Sequence, residues 1–399
     1  AYPLSATLSL IGAEGVFLLY SRSQTEGQRL LTCIPAMLLC YWCFGYGAWL
    51  CLALMLAAGI IAHHQKLSAL LAAGILLLPA TQYPATTWWS KPDLDREYVL
   101  SLDVEHYFGN IQKMRKHLET DRQILWVTYY RNLYNATHPS EINSPVSLSR
   151  NLLAWNQPGT NGLILPVNPS ASFLSILFAN ELWFTLGDMT MAEHCAMLSM
   201  IFSPRNSGSR MIKRLAEINL VNGDDEAALK YLRILDKTLL HKSWAEKRIP
   251  GQQTPRVKEW LEKKRRDIPT QDHLRSGNDA VTSLRNLVAS NAGNLRAYEY
   301  LLCYHLLSKD LRSFVEDYVP GKVSSSIFAE ALLIHLARQG NIRAEELIKY
   351  QIPVKIAKEF ADYTRLYEAK DTSLKEKYGK TYWFYYHFAT TEPGKESKP

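Results

Sequence analysis

The chain has 399 residues, of which 47% are hydrophobic and 21% are charged. This composition excludes a disordered chain and a fibre, and the length exceeds that of one ordinary compact domain. The formal net charge of +7 is only mildly basic and does not by itself indicate a partner. Charge is distributed unevenly along the chain. The charged residues in 1–86 are limited to Arg22, Arg29, Lys66, Glu14 and Glu26.

Residues 1–87 are predicted to form a transmembrane helical region. The stretch Leu30–Ala62 has no charged residue over 33 positions, and about 20 apolar residues suffice to cross a bilayer. Aromatic residues and two glycines lie near its middle, at 41–49, which favours a helical hairpin with its tip at a membrane interface. A single long, kinked helix is the alternative. With the apolar segments 3–20 and 67–83, the hairpin gives about four crossings.

Glu14 is the candidate polar group within these predicted spans. An intramembrane carboxyl often belongs to an ion or proton site. The other interpretation is a glutamate near the end of a span, or one paired with a neighbouring helix.

Loop charges predict the orientation of the chain. With four crossings, the loops that hold Arg22, Arg29 and Lys66 lie on one side, and the positive-inside rule assigns that side to the cytoplasm. We therefore expect a protein of the inner (cytoplasmic) membrane whose residues after Trp88 are periplasmic. With three crossings, the same residues would be cytoplasmic.

Residues 88–399 are predicted to be all-α, because the apolar spacing is helical and alternating stretches are almost absent. A Gly-Asp pair followed by a small residue occurs at Gly187 and again at Gly223, a period of 36. Gly340 repeats the pattern, Gly109 is a fainter copy, and Lys309 occupies the same place without glycine. A glycine in the turn and an alanine early in the next helix are typical of stacked helix-turn-helix units. These units resemble tetratricopeptide repeats, so the predicted fold is transmembrane helices followed by a tetratricopeptide-like α-solenoid.

Two insertions are predicted in this helical-repeat domain, near 139–169 and 242–276. The first is rich in Pro, Asn, Ser and Gly, which indicates a loop. The second contains Lys263–Arg266 within a stretch of ten basic and five acidic residues, 242–275. Few aromatic residues accompany these charges, so we expect a solvated helix and linker, with contact to anionic lipid as a possibility, and no nucleic-acid partner.

No catalytic motif, metal-binding pattern or cofactor fingerprint is present in the sequence. Cys195 and Cys303 stand alone on helical faces, which favours buried free thiols. We therefore predict no catalytic residue, no metal and no cofactor.

A partner is expected on the concave face, which the first helix of each tetratricopeptide-like pair lines. Counting back from the turns places six charged residues there: Glu181, Arg210, Lys213, Glu217, Arg296 and Glu299. Such charges can fix the register of an extended ligand. Alternatively, they pair with each other across neighbouring helices.

Three segments carry a resemblance to a known family: Val127–Leu133, Leu215–Leu232 and Asn294–Leu302. They resemble an uncharacterised domain-of-unknown-function family of membrane proteins from Bacteroidota. The resemblance implies N-terminal spans, with more of them upstream, followed by a helical-repeat domain. It implies no activity and no functional residue.

Two functions remain open from the sequence. One is a membrane-anchored helical-repeat scaffold that binds a protein or peptide partner in a membrane complex, next to the lipid bilayer. The alternative is a subunit or regulatory part of a membrane enzyme or transporter whose active site lies in the membrane region.

Overall fold

The computed structural model describes residues 94–119, 124–138, 148–155, 158–167, 173–202, 208–270 and 279–390. Within these ranges the secondary structure is helical and contains no strand, so the all-α prediction is confirmed there. The predicted transmembrane region and Glu14 lie outside the described residues.

The N-terminal half of the described chain contains ten α-helices. They are α1 (Leu94–Tyr107), α2 (Ile111–Leu118), α3 (Leu125–Thr137), α4 (Leu152–Trp155), α5 (Phe173–Leu186), α6 (Met189–Phe202), α7 (Ser209–Asn222), α8 (Asp225–Asp236), α9 (Lys242–Glu246) and α10 (Pro255–Arg265). The remainder are α11 (Ala280–Ser290), α12 (Leu295–Leu307), α13 (Leu311–Asp317), α14 (Ser326–Arg338), α15 (Ala344–Lys349), α16 (Val354–Glu368), α17 (Leu374–Tyr378) and α18 (Tyr382–Phe388). None of these described helices combines the length and the apolar character needed to cross a membrane.

The turns predicted from the glycine pattern each join two helices. The residue in the turn has a positive φ in all five cases: Gly109, Gly187, Gly223, Lys309 and Gly340. The N–H of the following residue donates to the carbonyl five positions earlier, over 2.8 to 3.0 Å. This is the Schellman arrangement, which satisfies the free carbonyls at a helix end and favours glycine in the turn.

The aspartate after the turn has a second role as the cap of the next helix. Asp188 accepts from the Met191 N–H over 2.8 Å, and Asp224 accepts from the Ala227 N–H over 2.9 Å. Asp310 caps α13 in the same way. A side-chain oxygen at this position satisfies one free amide of the helix start, so the Gly-Asp pair ends one helix and begins the next.

The hairpins pack side by side. α5 packs against α6, α7 against α8, and α6 against α7. Ala192 and Ala228, the small residues that follow the turns, are fully buried. A methyl side chain lets the paired helices approach closely, which accounts for the small residue in the pattern.

The basic segment after α8 does not lie free in solvent but folds back on α5 and α7. Trp260 of α10 stacks on Phe184 with ring centroids 6.3 Å apart. Arg265 donates to the carbonyls of Val221 over 3.0 Å and Leu220 over 2.8 Å, at the C-terminal end of α7. One side of α10 is therefore packed on the repeat, whereas most of its charged side chains are exposed, as expected of a solvated helix.

The backbone after α10 crosses the turn between α5 and α6. Asn294 donates to the carbonyls of Leu186 over 2.7 Å and Asp267 over 2.8 Å, and so joins the two segments. A Cβ atom at Gly187 would lie 2.2 Å from the Asp267 carbonyl oxygen. Glycine is thus needed at 187 for its φ of +91° and for this close approach.

The segment in which the sequence indicates a loop, 139–169, contains the short helix α4 among its described residues. Leu163 and Leu165 are buried, and Asn132 of α3 donates to the Gly162 carbonyl over 2.8 Å. This part of the segment is therefore packed against the helices.

Candidate functional site

A buried ionic cluster lies where α1, α5 and α7 meet. Arg210 of α7 donates to both carboxylate oxygens of Asp103 on α1, over 2.5 and 2.8 Å. It also donates to Glu181 of α5 over 2.8 Å. The Asp103 and Glu181 side chains are only 7% and 6% exposed, so one guanidinium forms charged hydrogen bonds with two carboxylates away from water.

A second arginine extends the cluster one turn along α7. Arg214 donates to Glu181 over 2.5 Å and to Glu217 over 3.1 Å. The His106 Nε2 of α1 lies 3.6 Å from Glu181 Oε2, the oxygen that accepts from Arg214. Glu181 is therefore the centre of the cluster.

Aromatic side chains complete this environment. The Tyr130 hydroxyl of α3 donates to Asp103 over 2.5 Å. The Arg210 guanidinium and the Lys213 ammonium lie 4.9 and 4.8 Å from the Tyr107 ring centroid, and Lys213 also donates to the Tyr107 hydroxyl over 2.7 Å. These cation–π contacts hold the two cations along α7.

The charges of the cluster are stable near neutral pH. Burial alone would raise the pKa of Glu181, but Arg214 and Arg210 hold that pKa well below its usual range. Burial would likewise lower the pKa of Arg210, but Glu181 and Asp103 raise it above its ordinary value. Groups fixed in their charged forms suit a structural ion cluster rather than proton transfer.

Arg296 and Glu299 of α12 lie in other contacts. Arg296 donates to the carbonyls of Ala136 over 3.1 Å and Thr185 over 3.0 Å, and lies 3.2 Å from an Asp267 carboxylate oxygen. Glu299 accepts from the Ser149 N–H over 2.9 Å and from its hydroxyl over 2.6 Å. Both side chains tie distant segments to α12.

The structure thus brings together four of the six residues predicted to face a partner: Glu181, Arg210, Lys213 and Glu217. Of these six, Arg210 and Glu181 pair with each other across neighbouring helices, as the alternative describes, and the other four have other partners within the chain. Their role in binding stays a prediction. Asp103, His106 and Arg214 belong to the same cluster but were missed, because their contacts join different helices and Asp103 lies 107 positions from Arg210.

A second group of cations lies beside the ionic cluster, and we call it the basic face: Lys213 of α7, Arg248 after α9, and Arg256 and Lys264 of α10, with Trp244 between the first two. Lys213 lies 4.8 Å from the Trp244 ring centroid and Arg248 lies 4.0 Å from it. Burial lowers the pKa of Arg248, Glu217 opposes this effect, and Arg256 lowers that pKa further. Among the described residues, the buried Nε of Arg248 has no hydrogen-bond partner.

Lys264 marks the other end of the basic face. Its ammonium lies 4.6 Å from the Phe184 ring centroid, and the Arg214 guanidinium lies 3.8 Å from the same centroid. Burial, followed by repulsion from Arg214 and Arg296, lowers the pKa of Lys264 to about 8. Asp267 and Glu217 act against this lowering of the pKa, but no described carboxylate forms a salt bridge with Lys264.

The described residues offer little chemistry beyond charge recognition. They contain no group of three His, Cys, Asp or Glu side chains that could hold a metal ion. Cys195 and Cys303 are buried thiols outside any disulfide, as predicted, and burial raises the pKa of the Cys303 thiol. A thiol with a raised pKa is a poor nucleophile.

Comparison with known proteins identifies a family but no characterised relative. Neither a curated protein nor a solved structure matches the chain. A family model matches residues 67–389 and bears the description "Family of unknown function (DUF6057)". The predicted resemblance to a domain-of-unknown-function family is confirmed in this general form, and the chain belongs to family DUF6057.

Proposed function

We propose that this protein is a membrane-anchored helical-repeat scaffold that binds an acidic segment of a protein partner on the basic face. Lys213, Arg248, Arg256 and Lys264 would contact carboxylates of the partner, and Trp244 would pack against its apolar groups. The predicted spans in residues 1–87 would anchor the scaffold, with the repeat domain in the periplasm.

The repeat interpretation is supported by the hairpins α5–α6 and α7–α8. They share the positive-φ glycine, the aspartate cap and a buried alanine at the same positions. Consecutive packing through α6 and α7 is what a tetratricopeptide-like stack requires. Helical stacks of this type commonly function through an extended surface rather than through catalysis.

One observation carries the choice of an acidic partner. Both arginines of the ionic cluster form salt bridges with carboxylates, whereas no described carboxylate forms one with Arg248 or Lys264. Glu217 acts electrostatically on both cations and Asp267 acts on Lys264, but Glu217 already pairs with Arg214 and Asp267 with Arg296. Bringing cations together without counter-ions costs free energy, and an anionic ligand would recover it.

The proposal is tested with the full chain in detergent micelles and a fluorescein-labelled Glu-rich peptide, with a Gln-rich peptide of equal length as the comparison. We expect the Glu-rich peptide alone to bind, with an affinity that falls as salt is added. Arg248→Gln with Lys264→Gln should weaken binding at least tenfold, a change of about 1.4 kcal/mol.

Arg312→Gln is the matched control, because the Arg312 side chain is 90% exposed and pairs only with Glu316 one turn away. It should leave the affinity unchanged. Helix content and melting temperature should be the same for all variants. Equal affinity of the double variant and the unsubstituted chain, with the fold retained, would contradict the proposal.

A further inference from the structure

Two leucines project into solvent from the turn between α8 and α9. Leu239 is 97% exposed and Leu240 is 85% exposed. Isolated exposed leucines are common on protein surfaces, but two adjacent ones at the tip of a turn, almost fully solvated, form an apolar point. The unfavourable contact of these two side chains with water is removed only when another molecule, or a part of the chain outside the described residues, covers them.

The turn that carries these leucines is firmly held. The Thr238 hydroxyl donates to the Leu235 carbonyl over 2.7 Å and accepts from the His241 N–H over 3.2 Å. The Lys242 N–H donates to the Thr238 carbonyl over 3.1 Å. Leu235, at the base of the turn, is buried. The hydrogen bonds therefore hold Leu239 and Leu240 outward instead of letting them fold onto the surface.

The charge around the turn is positive. Residues 230–247 contain five exposed Lys or Arg residues and two carboxylates, namely Lys230, Arg233, Lys237, Lys242 and Lys247 against Asp236 and Glu246. Lys242 and Glu246 lie 4.0 Å apart and partly neutralise each other. An apolar tip between lysines is complementary to an anionic bilayer, since the leucines can enter the boundary between head groups and acyl chains while the ammonium groups meet phosphates.

We propose that Leu239 and Leu240 insert into the head-group region of an anionic phospholipid bilayer, with Lys237 and Lys242 on the lipid phosphates. This contact is a second attachment of the chain to the membrane, separate from the spans predicted in residues 1–87. It does not depend on peptide binding by the basic face, because neither leucine belongs to that face.

The test uses the full chain in vesicles of phosphatidylcholine and phosphatidylglycerol, with the photoreactive residue p-benzoylphenylalanine in place of Leu239. Ile348 is the matched control site. It is 77% exposed, but it follows the carboxylates Glu345 and Glu346 and so lacks the positive surroundings. After illumination, mass spectrometry measures the fraction of chain that carries a phospholipid adduct. We expect several-fold more adduct at 239 than at 348.

Two further measurements address the charge. Lys237→Glu with Lys242→Glu, in the chain that carries the probe at 239, should lower the adduct several-fold. Vesicles of phosphatidylcholine alone should do the same. All these side chains are exposed, so the helix content should not change. Equal adduct at 239 and 348, no response to the charge reversal, or cross-links from 239 to protein instead of lipid would overturn the proposal.

Discussion

Replacing Arg210 by methionine should destabilise the helical-repeat domain strongly. The change leaves Glu181 with Arg214 at 2.5 Å, but it removes the arginine that binds both oxygens of Asp103. Asp103 would retain the Tyr130 hydroxyl while remaining buried as an unpaired carboxylate. Removing one partner of a buried ion pair typically costs about 3–5 kcal/mol.

The size of this cost can be measured by thermal unfolding of the full chain in detergent, followed by circular dichroism at a helix-sensitive wavelength. A loss of about 3–5 kcal/mol corresponds to a fall in melting temperature on the order of 10 °C for a domain of this size. Arg312→Met is the control, because an exposed pair between neighbouring turns contributes about 0–1 kcal/mol. It should lower the melting temperature by little or nothing.

A double substitution separates the ionic cause from simple loss of packing. Adding Asp103→Asn to Arg210→Met removes the uncompensated charge and keeps an oxygen for the Tyr130 hydroxyl. We expect the double variant to recover a substantial part of the lost stability, with a coupling of about 1–3 kcal/mol. If Arg210→Met unfolds within about 1 kcal/mol of the unsubstituted chain, or Asp103→Asn gives no recovery, the reasoning from buried charge is wrong.

Three further outcomes follow from other positions. Gly187→Ala should lower the free energy of unfolding by several kcal/mol, because the new Cβ would lie 2.2 Å from the Asp267 carbonyl oxygen. Gly223 has a similar φ but open space around it, so Gly223→Ala should lower the free energy of unfolding by about 1–2 kcal/mol. Thermal unfolding of the two variants measures this difference. Burial raises the pKa of Glu330 from 4.5 to about 7, so the folded state binds more protons there, and the contribution of this group to stability should be fully present below pH 4.5 and be lost as pH rises through 7. Glu330→Gln should remove that contribution, up to about 3 kcal/mol, from the pH dependence of unfolding; an unchanged pH profile would refute it. Finally, since the pKa of Lys264 is lowered to about 8, affinity for the Glu-rich peptide should decline as pH rises through 8, and Lys264→Gln should abolish that decline.

The turns were predictable because their signals are local. A glycine followed by aspartate sets a left-handed turn and a helix cap within a few residues, and the apolar period of the flanking segments sets the helices. The same argument found Lys309, where the turn keeps a φ of +59° without glycine. There the aspartate cap and the apolar pattern persist although the glycine is lost.

The contacts of the charged residues were not predictable from the same information. Counting helical positions correctly selects one side of α7, but it does not reveal which other helix covers that side. Asp103 lies 107 residues from Arg210 along the chain, and α10 reaches α7 through Arg265, 44 residues from its acceptor Val221. Such pairings depend on tertiary packing, in which a charged residue predicted to be exposed can become a buried partner.

Cations on and beside α7 fall into two groups. Those with carboxylate partners stabilise the fold, and those without such partners are available to a ligand. At the start of the helix, Arg210 and Arg214 form salt bridges with Asp103, Glu181 and Glu217, so each arginine has a carboxylate partner and its removal should cost stability. Beyond them, the Phe184 ring contacts Arg214 and Lys264 together. The matched arginine is therefore one source of the field that lowers the pKa of Lys264. An acidic ligand bound at Lys264 would offset the repulsion between Lys264 and Arg214, whose position is fixed by the ionic cluster. Substitutions that test binding therefore belong at Lys264 and Arg248, whereas substitution of Arg210 tests stability.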